Sequence, residues 1–124
     1  MPHILLIDDD APFRNMLRLT LEELGHDVTE AHDGKEGLAA HQLNPVDLVI
    51  TDLVMPGMEG IETIIELKRC SPALKIIAMS GGGRINAATD YLPTARLLGA
   101  NRTLAKPFTP QELSAAIAEV LKES

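Results

Sequence analysis

His3-Ile4-Leu5-Leu6-Ile7, leading into Asp8-Asp9-Asp10, and Val46-Asp47-Leu48-Val49-Ile50-Thr51, leading into Asp52, are the stretches that decide the fold. Both are nearly continuous apolar runs that stop at a carboxylate. A short aliphatic run without polar alternation suits a strand covered on both faces, as in the middle of a parallel sheet. Three more short apolar runs follow the same rhythm, so strands are expected at 3–7, 28–31, 46–51, 74–80 and 103–105.

The intervening segments carry helical periodicity. Phe13, Met16, Leu17, Leu21 and Leu24 recur at i, i+3, i+4, i+8 and i+11, and Gly25 stands where a helix end commonly places a left-handed residue. Leu113, Ile117, Val120 and Leu121 form a second stripe behind Thr109 and Pro110, an N-cap followed by a residue suited to the first helical position. Segments 34–43 and 59–70 supply two more helices, each followed closely by a proline, Pro45 and Pro72. A further stripe, Ala88, Tyr91, Leu92, Ala95 and Leu98, has Pro93 inside it. An interior proline costs about 3 kcal/mol, so this helix is expected to start late, with Thr89 or Asp90 as N-cap and 81–88 as loop.

Five βα units make a doubly wound α/β fold, a flavodoxin-like (βα)₅ sandwich. Right-handed crossovers close it most simply as a five-stranded parallel sheet in the order 2-1-3-4-5. The 124 residues are expected to form a single domain, 1–124, with no room for a second or for an output domain after Lys122-Glu123-Ser124. The apolar run at 4–7 is too short to span a bilayer, and one cysteine, Cys70, cannot form an internal disulfide. A cytoplasmic protein is expected. Eighteen acidic residues against eleven basic ones give a net charge of −7, which opposes the counterion release that drives direct nucleic-acid binding.

In such sheets the working site lies beyond the C-terminal strand ends, where the strand order reverses between the first and third strands. Asp8 and Asp9 fall at the end of the first, Asp52 of the third, Ser80 of the fourth and Lys106 of the fifth. Each taken singly has an ordinary structural use, a cap or a turn. Their convergence does not. Crowded carboxylates repel unless a cation joins them, and an all-oxygen set suits Mg²⁺, with Mn²⁺ as a substitute. Asp9 is expected to bind the ion directly and Asp8 through water, with the Val54 carbonyl as a third protein ligand. Asp52 is the expected nucleophile toward a phosphoryl group, with Lys106 and Ser80 holding its oxygens and Gly81 leaving it room.

Asp8-Asp9, Asp52 with Met55-Pro56 and Gly60 behind it, Ser80-Gly81 and Lys106-Pro107-Phe108 together resemble the motif set of the receiver domains of two-component response regulators. The resemblance covers the whole chain. It implies a phosphoacceptor at Asp52, an acidic pair at Asp8 and Asp9, a switch hydroxyl at Ser80 and a phosphoryl-binding lysine at Lys106 before a cis proline. It also implies a sensor histidine kinase or histidine phosphotransfer protein as donor and a protein as downstream target. In that light the chain is a switch with at most self-phosphorylation and autodephosphorylation activity, not a turnover enzyme.

The sequence departs from the family pattern at Thr103, where an aromatic is usual, and in a longer interval between Ser80 and Lys106. Signalling through a phosphorylation-ordered loop at 81–90 and the helix after it is the corresponding expectation. Two other classes remain. One is a receiver-like docking module that is never phosphorylated. The other is a Mg²⁺-dependent phosphohydrolase, faintly resembled by Asp8-Asp9-Asp10 but lacking the Thr or Val that its motif needs at the position of Pro12.

Overall fold

A computed structural model of the chain describes residues 2–53, 60–80 and 99–122. Five strands, β1 (His3–Ile7), β2 (Asp27–Ala31), β3 (Leu48–Asp52), β4 (Lys75–Ser80) and β5 (Arg102–Ala105), pair in parallel in the order β2-β1-β3-β4-β5. The expected topology is the observed one. Among the described residues four helices accompany them: α1 (Ala11–Glu23), α2 (Gly34–Leu43), α3 (Gly60–Cys70) and α4 (Pro110–Lys122). The helix expected after Thr89 and the loop at 81–88 lie outside the described residues.

Alternation along the strands divides the core into two layers. Ile4, Leu6, Leu48, Ile50, Ile77, Met79 and Leu104 face α1 and α4. Leu5, Ile7, Val49, Ile76 and Ala78 face the other way and pack with Ile64 and Leu67 of α3. β1 is buried along 4–7 and β3 throughout, which is why neither shows a polar alternation. Each fully buried Leu or Ile contributes about 1.5–3 kcal/mol relative to exposure, so these two strands anchor the molecule.

Several ends differ from the sequence reading, each for a local reason. The third strand begins at Leu48, not Val46, because the Val46 N–H is diverted to Nδ1 of His41 at 3.1 Å. The fourth begins at Lys75, since the Leu74 N–H closes a turn onto the Ser71 carbonyl. The second gains Asp27, opposite His3, and the fifth gains Arg102, opposite Ile77. Within the first helical stripe Leu17 and Leu21 are buried and Phe13 packs partly against them, while Met16 and Leu24 are exposed. Residues 13, 17 and 21 share one row at i+4 spacing, and Met16 lies a third of a turn aside, at the rim of a cavity between α1 and α4.

The helix ends are as their chemistry requires. Asp10 caps α1 by accepting the Phe13 N–H, and Asp33 caps α2 by accepting the Glu36 N–H. At the other end of α1, Gly25 has φ +94°. Its N–H reaches Glu22 and the next, of His26, reaches Leu21, the paired bonds that close a helix through a left-handed glycine. Thr109 and Glu112 satisfy each other's N–H groups at the start of α4, a reciprocal capping box.

Candidate functional site

Register brings the acids together. Ile7 lies opposite Thr51, so Asp8, one residue on, comes beside Asp52 at the same edge of the sheet. Asp8 and Asp52 extend the rows of Ile4-Leu6 and Leu48-Ile50 toward the α1 side, and Lys106 extends the row of Leu104. Carboxylate oxygens of Asp8, Asp9 and Asp52 lie within 4.8 Å of one another. Asp8 is fully buried, Asp52 nearly so, and Asp9 is exposed.

Asp8 is held on both sides. One oxygen accepts the backbone N–H of Asp10 at 2.9 Å, and the other accepts from Nζ of Lys106 at 3.1 Å. Its carbonyl accepts from Nη1 of Arg14 at 2.7 Å, and Nε of Arg14 is paired with Glu30 of β2 at 3.1 Å. The ammonium of Lys106 also stands 3.6 Å from Oδ2 of Asp52, an ion pair too long for a hydrogen bond. Lys106 follows β5 directly. Its N–H donates to the Ser80 carbonyl, and the bond to Pro107 is cis, as the family pattern implies.

Three carboxylates therefore face one ammonium among the described residues. Two like charges 4 Å apart near a protein surface repel by about 4 kcal/mol, more than one lysine offsets for three acids. The donor set is all oxygen, drawn from two neighbouring strand ends, and fits a small hard divalent cation. Asp9 has the open carboxylate, whereas both oxygens of Asp8 are engaged by the protein.

Ser80 closes β4 one residue beyond the Asp52–Met79 pair and is fully buried. Its side chain falls in the row of Ala78, on the face opposite Asp8. Val54, Met55, Pro56 and Gly81 lie outside the described residues. Asp10, the third acid of the run, serves as the α1 cap.

Sequence reasoning gave three residues no part in positioning the site. A Cβ on Gly60 would sit 2.3 Å from the Asp52 carbonyl oxygen and 2.4 Å from Cα of Leu53, so only glycine lets α3 begin against the back of Asp52. Phe13 lies under Lys106, whose Nζ is 4.2 Å from the ring centroid. Arg14 binds the Asp8 backbone to β2. The signal for Gly60 was its fixed interval behind Asp52. Phe13 was hidden in a stripe that explained it as core.

Fold and site define an α/β domain with an acid and lysine pocket at the switch point of a doubly wound sheet. The model of the response regulator receiver domain matches residues 4–118. The chain is 37% identical over 121 residues to a probable transcriptional regulator, ycf27, of Porphyridium aerugineum, covering 96% of this chain and 48% of that protein. It is 35% identical to the transcriptional regulatory protein CpxR of Klebsiella pneumoniae, covering 100% of this chain and 51% of that one. The chain thus spans about half the length of these curated relatives. Among solved structures, a response regulator receiver domain protein from Clostridium thermocellum superposes with a TM-score of 0.87 at 33% identity, covering 98% of this chain and 95% of that one. The chemotaxis protein CheY4 of Vibrio cholerae superposes with a TM-score of 0.83 at 30% identity, covering 97% and 98%.

The chain belongs to the receiver-domain family of two-component response regulators. Phosphorylation of an aspartate is typical of that family. Among the described residues no helix is long and apolar enough to cross a membrane.

Proposed function

We propose that Asp52 accepts a phosphoryl group from a phosphohistidine on a sensor kinase or phosphotransfer protein, and that the phosphorylated domain acts on a protein partner. The supporting observation is the meeting of Asp8, Asp9 and Asp52 within 4.8 Å, with Lys106 between the two buried acids. A carboxylate oxygen of Asp52 attacks phosphorus in line, the P–N bond breaks, and its electron pair stays on the donor imidazole. Attack of water on the acyl phosphate later restores the carboxylate and releases inorganic phosphate.

Lys106 neutralises one phosphoryl oxygen, giving up part of its hold on Asp8, and the Ser80 hydroxyl donates to another. Asp9 and Asp52 would hold Mg²⁺ directly, with Asp8 acting through water and the Val54 carbonyl completing the protein ligands. Mg²⁺ supplies shielding of the charge on the phosphoryl oxygens. The curated relatives are named as transcriptional regulators, but the part of them that this chain matches carries −7 here, so its own contacts are proposed to be with proteins rather than DNA.

Intact mass after incubation with Mg²⁺ and acetyl phosphate tests this reading. A transient single phosphoryl adduct is expected in the native chain and not in Asp52→Asn. The docking reading keeps one observation in its favour: the half-buried position on β5 where the family usually has an aromatic is Thr103. Complete absence of an adduct would decide for it, and sustained turnover of unrelated phosphoesters would decide for a hydrolase.

A further inference from the structure

We infer that Phe13 is a positioning residue for the phosphoryl-binding lysine, holding the Lys106 ammonium against its ring face so that it stays within reach of Asp52. The inference rests on the phosphoacceptor reading above and deepens it. Nζ of Lys106 is 4.2 Å from the Phe13 centroid, well inside the range in which an aromatic face attracts a cation. The lysine side chain is only 14% exposed, so little water competes. Asp8 at 3.1 Å and Asp52 at 3.6 Å take two further sides of the ammonium, and the ring covers a third.

The ring is itself fixed. Phe108 meets it in a T-shaped contact, with centroids 6.2 Å apart and planes at 84°. Its backbone is tied to the site through Asp10, whose N–H donates to Asp8 and whose carboxylate accepts the Phe13 N–H at 3.2 Å. Acid, helix cap and ring thus form one hydrogen-bonded unit. A lysine held by Asp8 alone would follow Asp8 and, when the acids are neutralised by a cation, lose its strongest anchor. The ring face keeps its attraction whatever the charge on Asp8, so the ammonium remains beside Asp52 when a phosphoryl oxygen arrives.

Phe13→Leu keeps an apolar residue in the 13/17/21 row and removes the π face, whereas Phe13→Tyr keeps the face. Two measurements read the difference. In the metal-free native protein, NMR is expected to show the Lys106 ε-methylene protons shifted upfield by the ring current, with the shift kept in Phe13→Tyr and lost in Phe13→Leu. With Mg²⁺ present, affinity for beryllium fluoride, a phosphoryl mimic, is expected to fall roughly 5- to 30-fold in Phe13→Leu and to stay near native in Phe13→Tyr.

Equal affinity in the native chain and Phe13→Leu, or equal weakening in both variants, overturns the inference while leaving the phosphoacceptor reading intact. A native chain that binds no beryllium fluoride and takes no adduct on Asp52 overturns the phosphoacceptor reading and this one with it. Should Phe13→Leu fail to fold, an unshifted Lys106 resonance in the native chain is sufficient to overturn the positioning role.

Discussion

At the scale of single residues, buried polar groups are committed to specific partners, and His41 shows what that entails. Because the Val46 N–H donates to its Nδ1, the ring proton must sit on Nε2, which donates to the Ser71 hydroxyl at 2.9 Å. Burial lowers its pKa below the ordinary 6.5. A second proton on Nδ1 would break the bond that turns the chain into β3. The unfolded chain binds that proton near pH 6.5 and the folded one only at lower pH, so this residue's contribution to stability is complete above 6.5 and declines as pH falls below it. The urea midpoint is therefore expected to drop between pH 7.5 and 5.5, and to drop less in His41→Asn, which keeps an acceptor near the Nδ1 position. Parallel declines in the two proteins would assign the effect to other groups.

At the scale of elements, the start of α3 is placed by an absence of atoms. Alanine normally exceeds glycine by about 1 kcal/mol in a helix, so Gly60→Ala would stabilise a free helix end. Here the added Cβ would meet backbone at 2.3 and 2.4 Å, which cannot rotate away, and the clash wins. A loss of about 1–3 kcal/mol in urea unfolding is expected, together with a reduced Asp52 adduct; a stabilised variant would refute this account of the glycine. Strands and helices were legible because a fully buried strand must be aliphatic and a covered helix must keep one row apolar. Their ends were less so, because Val46 and Leu74 look like strand residues and differ only in where their N–H groups go. Asp8, Asp52 and Lys106 were legible as a set because strand ends at a switch point meet by topology. The contribution of Phe13 depends on the distance between a helix and a strand end far apart in sequence, which no spacing encodes.

At the scale of the whole molecule, the acid cluster sets a working site against the stability of the domain that carries it. Three carboxylates share one lysine among the described residues, so the metal-free protein bears an excess of negative charge that unfolding would relieve. Mg²⁺ is expected to raise the urea midpoint, by about 2.7 kcal/mol at a hundredfold excess over its dissociation constant. Asp9→Asn is expected to stabilise the metal-free protein and to lose most of the Mg²⁺ increment, and an unchanged increment would remove Asp9 from the ligand set. The sheet itself has a further consequence. Neighbouring strands lie about 4.7–4.9 Å apart by main-chain geometry, so acids ending β1 and β3 are spaced by a ruler that no side chain calibrates. Drift in the packing residues can then proceed without respacing the acids, which is how relatives sharing about a third of their residues with this chain, 37% and 35%, can diverge through their cores while the same two strand ends stay in step.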